Sequence, residues 1–174
     1  MNELIDVLSL RIALHIKSVV PEHPASVAVL KHALAITLNV VFIIGLTLAV
    51  SALTGRTSEV LIIMAAFAFL RQMTGGLHLK SGMGCVVVST LLFTGLSFIK
   101  LDYNWTIGAT LFSMLLILVF APAGIERQTR IPKRYFPLLK VAALLTVCLN
   151  LWFTFPYLAI SFFVQSLTLI NKRR

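Results

Sequence analysis

Charge is scarce in this sequence. Of its 174 residues only 12% are Asp, Glu, Lys or Arg, and just six are acidic, whereas a soluble domain carries roughly a quarter of charged residues. Hydrophobic residues make up 59% of the chain, more than a soluble fold of this size has room to bury, so a water-soluble domain is excluded. Cysteine is nearly absent. Cys85 and Cys148 are too few for a disulfide framework, four-ligand zinc spacing is missing, and no metal or organic cofactor is implied. Strict alternation of polar and apolar residues is missing too, which argues against a transmembrane β-barrel. Residues 1–20 lack the uncharged core of a cleavable signal, because Glu3, Asp6, Arg11 and Lys17 interrupt it, so the first long apolar block is expected to remain as an anchor.

What is present is a series of apolar blocks. In lipid every backbone polar group must be satisfied internally, which leaves helices as the spanning elements once a barrel is set aside. Residues 2–19 place Leu4, Ile5, Leu8, Ile12, Ile16 and Val19 at helical spacing among charges, the pattern of an amphipathic helix lying in the membrane interface. Pro21 and Pro24 end it. Ala33 to Leu53 is an uninterrupted apolar run of the roughly 20 residues that a spanning helix needs. Val60 to Leu70, Cys85 to Ile99 and Thr106 to Ala121 are shorter, and the first of these could be half-buried or re-entrant. Val141 to Ile170 is long enough for two helices, with Asn150 and Pro156 inside it and a turn expected at Phe155-Pro156-Tyr157. The expected fold is all-α: a polytopic membrane protein of about six transmembrane helices plus an N-terminal amphipathic interfacial helix. It reads as one integral-membrane domain over 1–174, with an amphipathic segment at 1–32, transmembrane helices within 33–170 and a candidate catalytic loop at 71–85.

The formal charge of +9 does not point to nucleic acid, because the basic residues lie between apolar blocks and form no stripe with interleaved aromatics. Topology and anionic lipid headgroups account for them. With six helices and both termini cytoplasmic, only Arg56 and Lys100 fall on the outer side; a single helix over Val141 to Ile170 would export Lys172-Arg173-Arg174, against the positive-inside bias. The expected location is the cell membrane. Gly45, Gly95 and Gly108 are compatible with close helix packing and a homodimer.

One segment is equipped for chemistry. Arg71 to Cys85 holds His78, Cys85 and the glycines Gly75, Gly76, Gly82 and Gly84 within fifteen residues. A thiol becomes a good nucleophile only when ionised, and an imidazole within hydrogen-bond reach is the usual means. On a continuous helix His78 and Cys85 would stand roughly 10 Å apart along the axis, too far to bond. Gly82 and Gly84 permit the chain to fold back, so that His78 ends one element and Cys85 opens the next. There the cysteine would sit at the positive end of a helix dipole, which favours the thiolate. The bland reading is a packing cysteine, an interfacial histidine and glycines that serve a turn. His15, His23 and His32 read as interfacial, and Cys148 as packing.

Arg71, Gly75-Gly76, His78 and Cys85 reproduce an Arg-x3-Gly-Gly-x-His-x6-Cys pattern between two membrane helices. In it the chain resembles the AgrB-type membrane peptidases of accessory gene regulator quorum-sensing systems. Phe120-Ala121-Pro122-Ala123, followed by a basic loop with Ile131-Pro132, resembles a second stretch of that family. Leu79 and Gly124 depart from residues common in it. The resemblance implies a cysteine endopeptidase in which His78 is the base and Cys85 the nucleophile. Its partner would be an AgrD-like precursor peptide with an amphipathic leader and an acidic tail, cleaved through an acyl thioester that closes to a thiolactone or lactone. Arg71, Gly75 and Gly76 would bind substrate or an oxyanion, and Lys133 and Arg134 would attract the acidic tail. A small membrane transporter or peptide exporter subunit is the competing reading, although the apolar blocks contain almost no ionisable residues of the kind ion coupling uses. A non-catalytic membrane scaffold is a third.

Overall fold

A computed structural model of the chain describes residues 4–77, 81–124 and 132–170. Among these residues the secondary structure is helical without strands: α1 (Leu4–Val19), α2 (Val27–Thr54), α3 (Thr57–Thr74), α4 (Gly82–Ser97), α5 (Tyr103–Phe120), α6 (Phe136–Phe153) and α7 (Pro156–Leu167). A short 3-10 turn, Lys133–Tyr135, leads into α6. The all-α fold expected from the apolar blocks is the fold observed. Among the described residues four helical stretches are long and apolar enough to cross a membrane: α2, α3, α5 and Lys133–Phe153. The apolar helices α4 and α7 have 16 and 12 residues. The chain divides into two units, one of residues 1–55 with 78–92, the other of residues 56–77 with 93–174.

In the first unit α1 packs on α2. The face of α1 that is buried is Ile5, Ser9 and Ala13, while Leu4 and Leu14 stay more than half exposed. Small residues let the two backbones approach, and the larger apolar side chains are left for the interface, as an amphipathic surface helix requires. Lys17 closes the end of α1 by donating to the carbonyls of Pro21, at 3.3 Å, and His23, at 2.5 Å. Ser26 caps α2, its hydroxyl accepting from the Val29 N–H, and Gly55 ends it in the left-handed conformation. The 28 residues of α2 correspond to about 42 Å of helix, more than the roughly 30 Å of a hydrocarbon core. Thr47 and Thr90, both buried, share a 3.1 Å hydrogen bond that links α2 to α4.

In the second unit α7 packs against both α3 and α5, and α6 packs against α5 and α3. Its core is Ala66, Leu70, Ile117, Ala121, Ala143, Val147, Phe162 and Leu169. Buried hydroxyls on α5 bond back to the preceding turn: Thr106 to Asp102 O, Thr110 to Thr106 O and Ser113 to Ala109 O. In an apolar surround such groups have no water to turn to. The apolar stretch Val141 to Ile170 does break in two. Thr154 takes a left-handed φ of 48°, Pro156 occupies the first turn of α7, and Asn150 binds both the N–H (3.1 Å) and the carbonyl (3.3 Å) of Phe155 and reaches Thr110 Oγ1 at 3.1 Å. Arg56, at the α3 entrance of this unit, donates to Ser97 O at 3.0 Å and lies over the Phe98 ring. Large apolar side chains such as Leu111, Leu115, Leu138 and Leu145 face outward, which in a bilayer is no penalty.

Candidate active site

The sequence-predicted site residues fall on two stretches. Cys85 belongs to the first unit and lies in the first turn of α4. Its N–H makes a bond to Ser81 O, at 3.0 Å, across the start of the helix, and the Ser81 hydroxyl accepts the Gly84 N–H at 3.0 Å. Ser81 is therefore an N-cap, and the capped turn delivers Cys85 at the positive end of the helix dipole. Cys85 is a free, half-buried thiol, whereas the other free cysteine, Cys148, is exposed on α6. His78 lies outside the described residues, as does Lys80; His78 follows Leu77 directly in sequence and precedes Cys85 by seven positions.

Arg71, Gly75 and Gly76 belong to the second unit, where they end α3. Gly75 adopts φ 74°, ψ −142° and Gly76 φ 131°, conformations open to glycine and strained for any other residue. The Gly75 N–H donates to Arg71 O at 2.8 Å and the Gly76 N–H to Ala123 O at 3.1 Å, while the Ala123 N–H returns to Thr74 O at 2.8 Å. The stretch Phe120-Ala121-Pro122-Ala123, with a cis Ala121–Pro122 bond, thus pairs with the glycine turn. Both glycine N–H groups are bound to carbonyls, and the two residues shape the turn that ends α3. A Cβ on Gly76 would come within 2.5 Å of Thr168 Oγ1. Arg71 donates to Leu77 O and stands 5.9 Å from the centre of the Phe67 ring. Its guanidinium is spent, at least in part, on the carbonyl immediately before His78.

Lys133 and Arg134 are exposed on the 3-10 turn, and Arg134 lies 4.8 Å from the Tyr135 ring centre. Two residues carry the site's local geometry without having been singled out in the sequence. Ser81 had a legible signal, a serine three positions before Gly84 at a helix start. Gln165 had none: it is fully buried on α7 and its Nε2 donates to Gly75 O at 2.7 Å and to Thr74 Oγ1 at 3.2 Å. Among the described residues, no three His, Cys, Asp or Glu side chains gather as a metal site would need.

Four long apolar helices among the described residues define a multi-pass membrane protein, and the shorter apolar helix α4 opens on a capped, half-buried cysteine. The family model for accessory gene regulator B matches residues 9–171, and the chain belongs to the AgrB family, whose place is in accessory gene regulator quorum sensing. It is 34% identical over 102 residues to an AgrB-like protein of Halalkalibacterium halodurans, covering 59% of this chain and 52% of that protein. It is 29% identical over 153 residues to an AgrB-like protein of Clostridium acetobutylicum, covering 83% of this chain and 69% of that protein. The chain thus spans about half the length of the first of these relatives. No solved structure matches it.

Proposed function

We propose that the chain is a membrane-embedded cysteine endopeptidase that removes the C-terminal tail of a short quorum-sensing precursor peptide and promotes closure of the remainder to a thiolactone or lactone. The observation that carries this reading is Cys85 in the Ser81-capped first turn of α4, seven residues after a histidine, in a chain of the AgrB family. His78 takes the Cys85 proton, and the thiolate sulfur attacks the scissile carbonyl. As the tetrahedral intermediate collapses, the C–N bond breaks and His78 returns the proton to the departing amine, which leaves an acyl thioester on Cys85. A cysteine or serine within the peptide then attacks that thioester; its proton passes through His78 to the Cys85 sulfur, the ring closes and the enzyme is regenerated.

An amide is more stable than a thioester, so this route needs water kept from the acyl-enzyme and a tail that departs. A site at the cytoplasmic membrane surface meets the first need. In the proposed topology the six helices α2 to α7 form one membrane domain with both termini cytoplasmic, so residues 71–85 and the Lys133-Arg134 turn share that side. The positive turn draws the acidic tail, and the amphipathic leader concentrates on the bilayer. Arg71, Gly75 and Gly76 hold the chain entering His78. The buried polar side chains among the described residues are Ser, Thr, Asn and Gln, and no observation favours the transporter or scaffold readings.

The test is alkylation of Cys85 in intact membranes at neutral pH, with Cys148 as internal reference, in the parent protein and in His78→Ala. The dyad predicts that Cys85 reacts faster than Cys148 and slows about tenfold or more in the variant. Equal rates in parent and variant would remove the chemical basis of the peptidase.

A further inference from the structure

The first unit's cysteine has its cap; the second unit has an equally specific device at the other half of the motif. Gln165 is a fully buried amide near the end of an apolar helix. Such a side chain is out of place there unless its hydrogen-bonding groups are used. They are. Nε2 donates to Gly75 O at 2.7 Å and to Thr74 Oγ1 at 3.2 Å, while Thr74 Oγ1 itself donates to Leu70 O at 2.9 Å. Thr168 Oγ1 donates to Gln165 O at 2.7 Å and lies 3.4 Å from Oε1. The amide is thus oriented with its NH2 toward two oxygens that need a donor and its oxygen toward a hydroxyl.

Gly76 packs against the same two side chains, since an added Cβ would meet Thr168 Oγ1 at 2.5 Å and Gln165 Nε2 at 3.2 Å. Gly75 and Gly76 hold positive φ, 74° and 131°, out of the many conformations that a glycine turn free in solution would sample. α7 therefore supplies the wall and the donor that select one of them, with Ala123 securing the opposite edge. The chain leaves this turn through Leu77 directly into His78.

We propose that Gln165 is a positioning residue for the peptidase reaction: its amide fixes the Gly75–Gly76 turn and through it sets where the chain enters His78. This rests on the His78/Cys85 reading above. The effect of Gln165 passes through the histidine.

The test uses the full chain in membranes and measures Cys85 alkylation relative to Cys148 in Gln165→Met, His78→Ala and the double variant. Met keeps the length and suits the apolar surround but cannot donate. Ser161→Ala, which removes another α7-to-α3 hydrogen bond, Ser161 Oγ to Ile63 O, controls for loosening of that interface. The expected result is a Cys85 rate lowered about tenfold in Gln165→Met, unchanged in Ser161→Ala, and no lower in the double variant than in His78→Ala alone, because residues acting through one group are not additive. A parental rate in Gln165→Met overturns the proposal, and so do losses that multiply in the double variant or an equal loss in Ser161→Ala. If Gln165→Met does not accumulate in membranes, Gln165→Leu, which likewise cannot donate, is read by the same criteria. A normal Cys85 rate in His78→Ala would instead refute the dyad itself, which separates the two failures.

Discussion

The N–H of Gly76 donates to the carbonyl of Ala123 at 3.1 Å, and the Ala123 N–H returns a 2.8 Å bond to Thr74 O. Two stretches far apart in sequence are thereby joined at the end of α3, next to the point where the chain enters His78. The pairing makes the Phe120-to-Ala123 stretch part of the turn that the glycines shape. Thr74, Gly75 and Gly76 are buried and Ala123 is half-buried, so an unpaired group on the Thr74 side has little water to replace its partner.

Ala123→Pro removes the N–H that Thr74 O accepts. The buried carbonyl is then unpaired, at about 1–3 kcal/mol, and the turn loses one of its two ties to Ala123. Peptide-tail release should fall while Ala123→Ser, which keeps the N–H, stays near the parent. Product quantified by mass spectrometry from membranes of equal protein content checks this.

Arg71 donates to Leu77 O, which makes Arg71→Lys a discriminating change. Lys keeps the charge but loses the planar fork. If the guanidinium holds the chain, kcat for tail release drops about tenfold or more with KM unchanged, since small misplacements near the chemistry are expensive. A raised KM with normal kcat would instead mark Arg71 as a substrate-carboxylate contact.

Asn150 bridges α6, α7 and α5 through three hydrogen bonds. Asn150→Leu strands both backbone groups of Phe155 and should destabilise the protein by about 2 kcal/mol, with Thr110→Val costing less because it removes the bonds to Asn150 and Thr106 O but leaves both Phe155 groups paired with Asn150. The midpoints of thermal unfolding in detergent should fall in that order.

Lys133 and Arg134 lie exposed at the start of the α6 segment. Replacing both by Glu should raise the KM for a precursor with an acidic tail several-fold, leave kcat near the parent and abolish the salt dependence of KM, as expected of long-range attraction. A precursor whose tail has been neutralised should show no such difference between parent and variant.

Much of this architecture is legible in the residues because lipid leaves so few options. Ala33 to Leu53 lies wholly inside α2, and Asn150, Phe155 and Pro156 mark the break between α6 and α7. A helix was expected to open at Cys85 after a fold-back at Gly82 and Gly84; α4 instead begins at Gly82 and takes both glycines into its first turn, while the positive-φ turn lies earlier, at Gly75 and Gly76. Helix ends were less visible. The block Val60 to Leu70 grows to Thr57–Thr74 because backbone hydrogen bonds continue through Ser58, Glu59, Arg71 and Gln72, which hydropathy leaves out. Gln165 was hidden for a different reason: a single amide in an apolar run shows its meaning only once its partner is known. Gly75 O, its acceptor, is a backbone atom ninety positions away.

The most direct measurement is to look for the intermediate. Membranes containing the parent protein are mixed with a precursor peptide whose internal cysteine or serine has been replaced by alanine, so that ring closure is blocked. The expected result is a hydroxylamine-sensitive adduct of the tail-less peptide on Cys85, found by mass spectrometry, stoichiometric with released tail and absent from Cys85→Ala and His78→Ala. Tail release that persists in Cys85→Ala, or an adduct on any other residue, would contradict it.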